Sequence, residues 1–229
     1  MIMNAIIGYT GFVGNILKKD VEDCDYYNSK NIKDITYKKY STIFCCGISA
    51  LRWWANQNPE DDYSKIESLL NILKNVKCDK FVLISTIAIH DDEPYGKNRK
   101  ITEDVIQNLF KNVYIFRLPS VYGRGLKKNL IFDILNNNLK NPVNLSQSFQ
   151  WYNVDDLYYD ILKIDKPGIY ELYPESIENS KLLSLFDKDI ETISDINSIG
   201  YKLIKPKEGF IYDQKTVLKK LKIYIDGHS

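Results

Sequence analysis

The sequence predicts an α/β fold in which a parallel sheet is covered by helices on both faces. Short apolar runs alternate with amphipathic helical stretches through the first two-thirds of the chain. A turn with regularly spaced glycines joins the first apolar run to the first helical stretch. Strands that alternate with helices in this way are typical of a parallel sheet with crossover helices. The 229 residues suffice for one such unit with a small added lobe.

Five apolar runs predict the strands of the sheet, and three amphipathic stretches predict its main helices. The expected strands are NAIIG (4–8), CDYYN (24–28), STIFCCG (41–47), KFVLIST (80–86) and NVYIFRLP (112–119). The expected helices lie at 11–20, 59–75 and 93–110. Only the thirteen residues 29–41 separate the second strand from Thr42 in the third. One crossover helix needs about that much chain, so we expect a trimmed sheet edge or an irregular connection there.

After about residue 120 the pattern changes to shorter segments. Expected helices lie at 126–137, 154–164, 179–186 and 213–225, and an expected strand lies at 168–173. Asp213 is a suitable N-cap for the last helix, because its carboxylate can accept hydrogen bonds from first-turn N–H groups. We therefore predict a first domain over 1–165, with some segments of a second lobe from about 120, and a small C-terminal α+β lobe over 166–229.

Composition argues against several classes of function. The formal charge is +1, from 31 basic and 30 acidic residues, so a nucleic-acid partner is not expected. No apolar run is long enough to span a bilayer and the first residues lack a leader pattern, so we expect no membrane partner and a cytoplasmic protein. The four cysteines have no CxxC spacing and only two histidines occur. We therefore expect reduced, buried cysteines and no metal site.

The stretch AIIGYTGFVGNIL, residues 5–17, has a glycine at every third position directly after the first apolar run. Gly8 suits a tight turn, Gly11 lets a pyrophosphate approach the backbone, and Gly14 allows the helix to pack close to the sheet. The first-turn N–H groups and the helix dipole then favour the anion. A purely structural turn is the alternative, but the position between first strand and first helix favours dinucleotide binding. The residues predicted to line this loop are Gly8, Thr10, Gly11, Phe12, Val13 and Gly14.

This spacing resembles the TGxxGxxG signature of the short-chain dehydrogenase/reductase superfamily. GYTGFVG is most similar to the extended branch, the NAD(P)-dependent epimerases and dehydratases that modify sugar nucleotides, with Ile7 where that family usually has Thr. The resemblance covers residues 1 to about 165 and is vague beyond them. It implies a Rossmann-like doubly wound sheet, a nicotinamide dinucleotide, a nucleotide-sugar substrate and, as often in this branch, a homodimer.

In this family the tip of the second strand contacts the adenosine ribose. The tip here is Asn28-Ser29-Lys30, without an acid. An amide, a hydroxyl and an ammonium suit a 2′-phosphate better than a carboxylate would, which favours NADP over NAD. A solvated turn with an incidental lysine is the alternative. The other residues that the resemblance assigns to the cofactor are Cys46, Gly47 and Pro119.

The family's catalytic group is a Ser or Thr after a central strand, followed by Tyr-x-x-x-Lys on the next helix. The matching positions are Thr86, Tyr95 and Arg99, with Arg99 in place of the lysine. The resemblance implies that Thr86 bonds the substrate oxygen while Tyr95 donates or removes a proton. A fixed cation one turn away is expected to lower the pKa of Tyr95 from about 10. The alternative is an ordinary Tyr–Arg pair on an exposed helix face.

Two later segments resemble the substrate-binding region of the extended branch. FRLPSVYGRG (116–125) matches its Arg-x-x-x-x-Tyr-Gly pattern, and SFQWYN (148–153) its returning strand. The resemblance assigns Arg124, Gln150 and Trp151 to the substrate, since a basic side chain there can neutralise a nucleotide diphosphate. The alternatives are a solvated position for Arg124 and simple packing for Gln150 and Trp151.

Three functions fit these observations. The first is an NAD(P)-dependent enzyme that modifies a sugar nucleotide, as an epimerase, dehydratase or keto-reductase, with Thr86, Tyr95 and Arg99 at its centre. The second is a non-catalytic NAD(P)-binding redox sensor or scaffold, favoured by Arg99 and by the short C-terminal part. The third, a protein–protein adaptor, requires that no dinucleotide binds.

Overall fold

The computed structural model of the protein describes residues 3–195 and 202–228. The chain divides into two compact units. The first comprises Met1–Leu118 and Asp155–Glu171, and the second comprises Pro119–Val154 and Leu172–Ser229. The boundary expected at residue 165 is therefore displaced. The chain returns to the first unit at residue 155, and the strand after residue 165 pairs with the sheet of that unit.

Each segment expected from the sequence has a counterpart among the observed elements. The strands are β1 (Asn4–Ile7), β2 (Cys24–Tyr27), β3 (Lys39–Cys45), β4 (Lys77–Thr86), β5 (Val113–Leu118), β6 (Ser120–Tyr122), β7 (Val143–Asn144), β8 (Ser148–Asn153), β9 (Gly168–Glu171), β10 (Ser176–Glu178) and β11 (Thr192–Ile193). The helices are α1 (Phe12–Asp20), α2 (Arg52–Gln57), α3 (Pro59–Leu73), α4 (Pro94–Leu109), α5 (Leu130–Leu135), α6 (Leu157–Leu162), α7 (Asn179–Leu183) and α8 (Gln214–Asp226). The short α2 is not predicted by the pattern, because six residues carry too little periodicity.

The first unit is built on a six-stranded parallel sheet in the order β2-β1-β3-β4-β5-β9. The chain moves from β1 to one side of the sheet and from β3 to the other. Right-handed crossovers in these two directions place α1 and α3 on opposite faces. The predicted α/β, Rossmann-like fold is confirmed.

The strand order reverses at β1, which lies between β2 and β3. Because the sheet is parallel, the carboxyl ends of all six strands lie at one edge. Ligands of such sheets bind in the crevice outside these ends, at the point of reversal. The segments that follow β1, β2 and β3 are therefore where a ligand of this sheet is expected to bind.

Both faces of the sheet are buried, which explains the nearly continuous apolar runs. One face belongs to a core cluster that includes Ile7, Cys45 and Leu83 of the sheet and Ile66, Leu70 and Leu73 of α3. The alternate residues Ile6, Phe44 and Val82 are also buried.

The connection from β2 to β3 is irregular, as predicted. The segment 28–38 forms a single 3-10 turn at Ile32–Ile35, and β2 is an edge strand. The hydroxyls of Tyr27 and Tyr40 lie 2.5 Å apart, and that of Tyr40 donates to Asp25 Oδ2 at 2.8 Å. These hydrogen bonds link side chains of β2 to a side chain of β3 at this edge of the sheet.

The second unit contains a three-stranded sheet, β10-β8-β6, and a two-stranded sheet, β11-β7. Its core includes Tyr122, Ile131, Leu221 and Ile225, contributed by β6, α5 and α8. Asp213 caps α8 as predicted, since its Oδ1 accepts from the Thr216 N–H at 2.8 Å. Within residues 3–195 and 202–228, no helix combines the length and the apolar character needed to cross a bilayer.

Candidate functional site

The glycine loop (Gly8–Gly14) joins β1 to α1, and the fold itself requires two of its glycines. Gly8 has φ +83°, and a Cβ there would lie 2.5 Å from the Cys46 carbonyl oxygen. A Cβ at Gly14 would overlap the Gly8 carbonyl oxygen and lie 2.8 Å from its carbonyl carbon. At Gly8 the chain passes close to the end of β3, and at Gly14 the helix α1 passes close to the turn. A side chain at either position would overlap backbone, so packing explains both glycines.

Gly11 is different, because the fold constrains this position less than the other two. Its φ of −76° and ψ of 169° are open to any residue, and it is exposed. Among the described residues, a Cβ at Gly11 would meet only the Gly8 carbonyl oxygen, at 3.3 Å. The N-cap Gly11 offers no side chain to cap α1, and Thr10 beside it is also exposed, so the first-turn N–H groups of Phe12 and Val13 are left for another acceptor.

The ends of the first three strands meet at this loop. The Gly8 N–H donates to the Tyr27 carbonyl at 2.7 Å, and the Cys46 N–H donates to the Ile7 carbonyl at 2.8 Å. The predicted cofactor residues Cys46 and Gly47 are therefore brought beside the glycine loop. Burial holds the pKa of the Cys46 thiol well above its ordinary value, so this cysteine contributes shape rather than a thiolate.

The tip of β2 is tied to the glycine loop. Asn28 Nδ2 donates to the Tyr9 hydroxyl at 3.2 Å, and Asn28 Oδ1 accepts from the Lys30 N–H at 2.8 Å. Ser29 and Lys30 are exposed. A second cation, missed from the sequence, lies nearby: Lys18 Nζ is 5.1 Å from the ring centroid of Tyr9. Its spacing of four residues after Gly14 on α1 is the signal that could have indicated it.

Tyr95 is positioned by two features of the first turn of α4. Its backbone N–H donates to Asn56 Oδ1 of α2 at 2.9 Å, so the Asn56 side chain caps this helix, while the side chain of Glu93 at the N-cap position makes no cap hydrogen bond. A Cβ at Gly96 would overlap the Ala88 carbonyl oxygen, so α4 packs directly on the turn that follows β4. This packing brings Tyr95 close enough to the Thr86 side chain for that hydroxyl to lower the pKa of Tyr95.

The electrostatics of Tyr95 differ from the sequence-based expectation. Burial raises the pKa of Tyr95 above its ordinary value, because the side chain lies with Trp54, Ala55 and Ala88 in a small apolar cluster. The charge of Arg99 lowers the pKa but does not outweigh burial. The expectation of a lowered pKa is therefore wrong, since sequence spacing shows the cation but not the loss of water.

Arg99 is brought to Tyr95 as predicted, but not on an exposed helix face. Its side chain is 3% exposed, and its guanidinium carbon lies 3.8 Å from the centroid of the Tyr95 ring. The charge is balanced by Asp62, 37 residues away in sequence, which sequence reasoning missed. One signal was available, since Asp62 lies in the first turn of a helix, a position that favours a carboxylate.

A buried ionic network lies at the same edge of the sheet. Arg117 Nη2 donates to Glu103 Oε2 at 2.6 Å, and its Nη1 donates to Glu171 Oε1 at 3.2 Å. The Ser85 hydroxyl donates to Glu103 Oε1 at 2.5 Å, and His90 Nε2 lies 3.0 Å from Glu171 Oε1. The network joins the ends of β4, β5 and β9 to α4, and so stabilises the strand end that carries Thr86.

The residues assigned to the substrate lie in the second unit, and two of them are packing residues. Gln150 Nε2 donates to the Pro174 and Ile204 carbonyls at 2.9 Å, and its Oε1 accepts from the Ile204 N–H at 3.0 Å. Trp151 is 2% exposed within the core of this unit. Their assignment to the substrate is corrected. The Gln150 side chain is bonded to main-chain groups, and the Trp151 side chain is buried in the core. Arg124 is exposed.

Pro119 is half-buried and directly follows β5, at the start of the second unit. Its predicted place beneath a nicotinamide stays a prediction. The four cysteines are free thiols. In the described part of the chain, no group of three His, Cys, Asp or Glu side chains is arranged to hold a metal ion.

No protein-family model matches the sequence, and no curated protein matches it. Solved structures match its fold. A dTDP-4-dehydrorhamnose reductase from Clostridium acetobutylicum ATCC 824 has a TM-score of 0.75 at 16% identity, over 98% of each chain. The Bacillus anthracis str. Ames dTDP-4-dehydrorhamnose reductase, in complex with NADP, has a TM-score of 0.74 at 17% identity, over 98% of this chain and 99% of that one. A Thermotoga maritima UDP-glucose 4-epimerase with UDP-glucose has a TM-score of 0.73 at 14% identity, over 98% of each chain.

The likeness is one of fold. Identities of 14–17% establish a common architecture and leave activity to be argued from the site itself.

Proposed function

We propose that the protein is an NAD(P)-dependent oxidoreductase that modifies a nucleotide-linked sugar. Gly11 carries the proposal: a Cβ at position 8 or 14 would overlap backbone atoms, whereas a Cβ at position 11 would meet one described oxygen, at 3.3 Å. A ligand that lies against the main chain explains a glycine at such a position. The loop also lies where the strand order reverses, which is where sheets of this kind bind their ligands.

The residues of the loop suit a dinucleotide. The uncapped N–H groups of the first turn of α1 support binding of a diphosphate, because a helix N-terminus favours an anion. The amide of Asn28 and the ammonium groups of Lys18 and Lys30 suit a 2′-phosphate, so NADP is favoured. A bound nicotinamide would supply or accept the hydride. The NADP and UDP-glucose held by the reductase and the epimerase of the same fold support these ligand classes.

Thr86 and Tyr95 are proposed as the acid–base pair. Because burial raises the pKa of Tyr95 above its ordinary value, its hydroxyl is protonated at neutral pH. A protonated phenol donates a proton to a developing alkoxide, as reduction of a keto sugar requires. The Thr86 hydroxyl, whose oxygen accepts from the Ala88 N–H at 3.2 Å, is proposed to donate to the same substrate oxygen. We therefore favour keto-reduction among the three activities.

The test is NADPH binding followed by turnover. NADPH fluorescence is titrated with the purified protein, and NADPH oxidation is then followed at 340 nm with a panel of nucleotide-linked 4-keto sugars. Tyr95→Phe is expected to lower turnover by about 10²–10⁴-fold. Its affinity for NADPH is expected to stay unchanged.

Tyr114→Phe is the matched control, because that hydroxyl donates to the Asp165 carbonyl at the opposite end of the strands. It is expected to retain full activity. Absence of NADPH binding by the wild-type chain would refute the proposal, and full activity in Tyr95→Phe would refute the assignment of the acid.

A second function is supported by the position of Arg99. Its cation is bound to partners within the first unit, which fits a dinucleotide-binding sensor or scaffold without turnover. Tight NADPH binding with no oxidation on any 4-keto sugar would favour this function. The cytoplasmic location, the homodimer and the substrate contact by Arg124 stay predictions from the sequence.

A further inference from the structure

The guanidinium of Arg99 is enclosed by partners within the first unit. Nη1 and Nη2 donate to the two carboxylate oxygens of Asp62, the second at 3.0 Å, and we call this bidentate pair the fork. Nη2 also donates to the Ser49 carbonyl at 2.5 Å, and Nη1 to the Tyr95 carbonyl at 3.3 Å. A guanidinium has five N–H donors. Four are used here, and the fifth, on Nε, is buried with no hydrogen-bond partner among the described residues.

Asp62 is held as firmly as its partner. It is 2% exposed and lies in the first turn of α3, where the helix dipole favours a negative charge. Asn98 of α4 donates to Asp62 Oδ2 at 2.9 Å through its Nδ2. The carboxylate is therefore fixed by α3 and α4 together, and the fork fixes the guanidinium in turn.

The fork also orients the guanidinium toward Tyr95, its carbon 3.8 Å from the ring centroid. A single ammonium could not bond both oxygens of Asp62 and the Ser49 carbonyl from that position, because it lacks the planar arrangement of donors. Arg99 and Asp62 therefore act as a matched pair.

We propose that Asp62 is a positioning residue that commits Arg99 to Tyr95 and withholds it from a bound dinucleotide. The inference rests on the proposed function of this site. Arg99 then acts on the Tyr95 proton through a charge that the fork holds against the ring. The affinity for the dinucleotide does not depend on it.

Three charged groups and one hydroxyl act on the Tyr95 phenol: Arg99 on its own helix, Asp62 on α3, Arg52 on α2 and Thr86 at the end of β4. Arg99 lowers the pKa of Tyr95 and Asp62 raises it, and the effect of Arg99 is the larger. Removal of both charges is therefore expected to raise this pKa.

The test variant is Arg99→Met/Asp62→Leu, which removes both buried charges together so that neither is left unpaired. Lys100→Gln/Asp104→Asn is the matched control, an exposed ion pair on the same helix. Two quantities are measured in each protein. One is the Kd for NADPH, from its fluorescence. The other is the pKa of residue 95 without NADPH, from ¹⁹F NMR of protein labelled with 3-fluorotyrosine, whose phenol titrates at lower pH; Tyr95→Phe identifies the resonance.

The double variant is expected to bind NADPH within about two-fold of wild type. Its Tyr95 pKa is expected to be higher by at least about half a unit, and the control should change neither quantity. A purely structural ion pair would leave the pKa unchanged, and that result would overturn the proposal. An affinity loss of about ten-fold or more would also overturn it, because the guanidinium would then contact the dinucleotide.

Arg99→Lys serves if the double variant does not fold. It keeps the charge but loses the fork, so NADPH affinity again stays within about two-fold while the Tyr95 pKa rises. An unchanged pKa in this variant contradicts the proposal. If the wild-type chain binds no NADPH, the proposed function fails, whereas the titration of ligand-free protein still decides whether Arg99 acts on Tyr95.

Discussion

Gly11→Ala distinguishes a ligand-binding loop from a merely tight turn. A methyl group at Gly11 would meet only the Gly8 carbonyl oxygen among the described residues, at 3.3 Å, so that oxygen must yield by a few tenths of an ångström. Alanine also restricts the unfolded chain, which stabilises the protein by about 0.4–1 kcal/mol where the backbone conformation is compatible. These effects oppose each other. We therefore expect the free energy of unfolding to change by less than about 1 kcal/mol.

The effect on binding should be much larger. The methyl group would be added at an exposed position of the glycine loop, where the proposed diphosphate would approach the main chain. Loss of a charge-assisted hydrogen bond worth about 1.5–3 kcal/mol raises Kd by about ten- to hundred-fold.

The assay is NADPH fluorescence titration, paired with urea unfolding of the same samples. Gly227→Ala is the matched control, because a Cβ there meets its neighbours at ordinary distances of 3.5 and 3.6 Å. Unchanged NADPH affinity in Gly11→Ala would show that the reasoning about this loop is mistaken.

Three further predictions follow from packing, capping and charge. Gly14→Ala should lower the free energy of unfolding by about 1–3 kcal/mol in urea titrations, because its Cβ meets backbone that cannot yield. Asn56→Ala should cost about 1 kcal/mol or more in the same assay by removing the cap of α4 and the hydrogen bond to Glu93 Oε2, and Asn56→Asp should not restore it at neutral pH, because its carboxylate would face that of Glu93. The hydrogen bond from Tyr40 lowers the pKa of Asp25 below 3.8 in the folded protein, so Asp25 stabilises the fold above that pH. The stability difference between wild type and Asp25→Asn should be constant near neutral pH and shrink as the pH falls below 3.8; a difference independent of pH would contradict this.

The local elements of the first unit follow from the sequence because their causes are local. The apolar runs become β1, β3, β4 and β5, since residues on both faces of these strands are buried and must be apolar. The irregular connection after β2 follows from chain length alone. The glycine spacing locates the loop and predicts the neighbouring uncapped helix, because both depend on residues within one turn of each other.

The candidate site was predictable only in part. Thr86, Tyr95 and Arg99 are brought together as their motif suggests, because one strand and the next helix carry them. The cap by Asn56 was not predictable, because 39 residues separate it from Tyr95 and α2 is too short to show a period. Gln150 was assigned to the substrate because the chain pattern does not show its bonds to main chain 54 residues away.

The sequence by itself determined the parallel sheet, the glycine loop and the order of Thr86, Tyr95 and Arg99, since periodicity and spacing act over a few residues. The tertiary structure alone decided that Tyr95 is buried, that its pKa is raised, and that Asp62 is the partner of Arg99. These properties depend on which helices pack together and how much water they exclude, and neither is encoded at any single position along the chain.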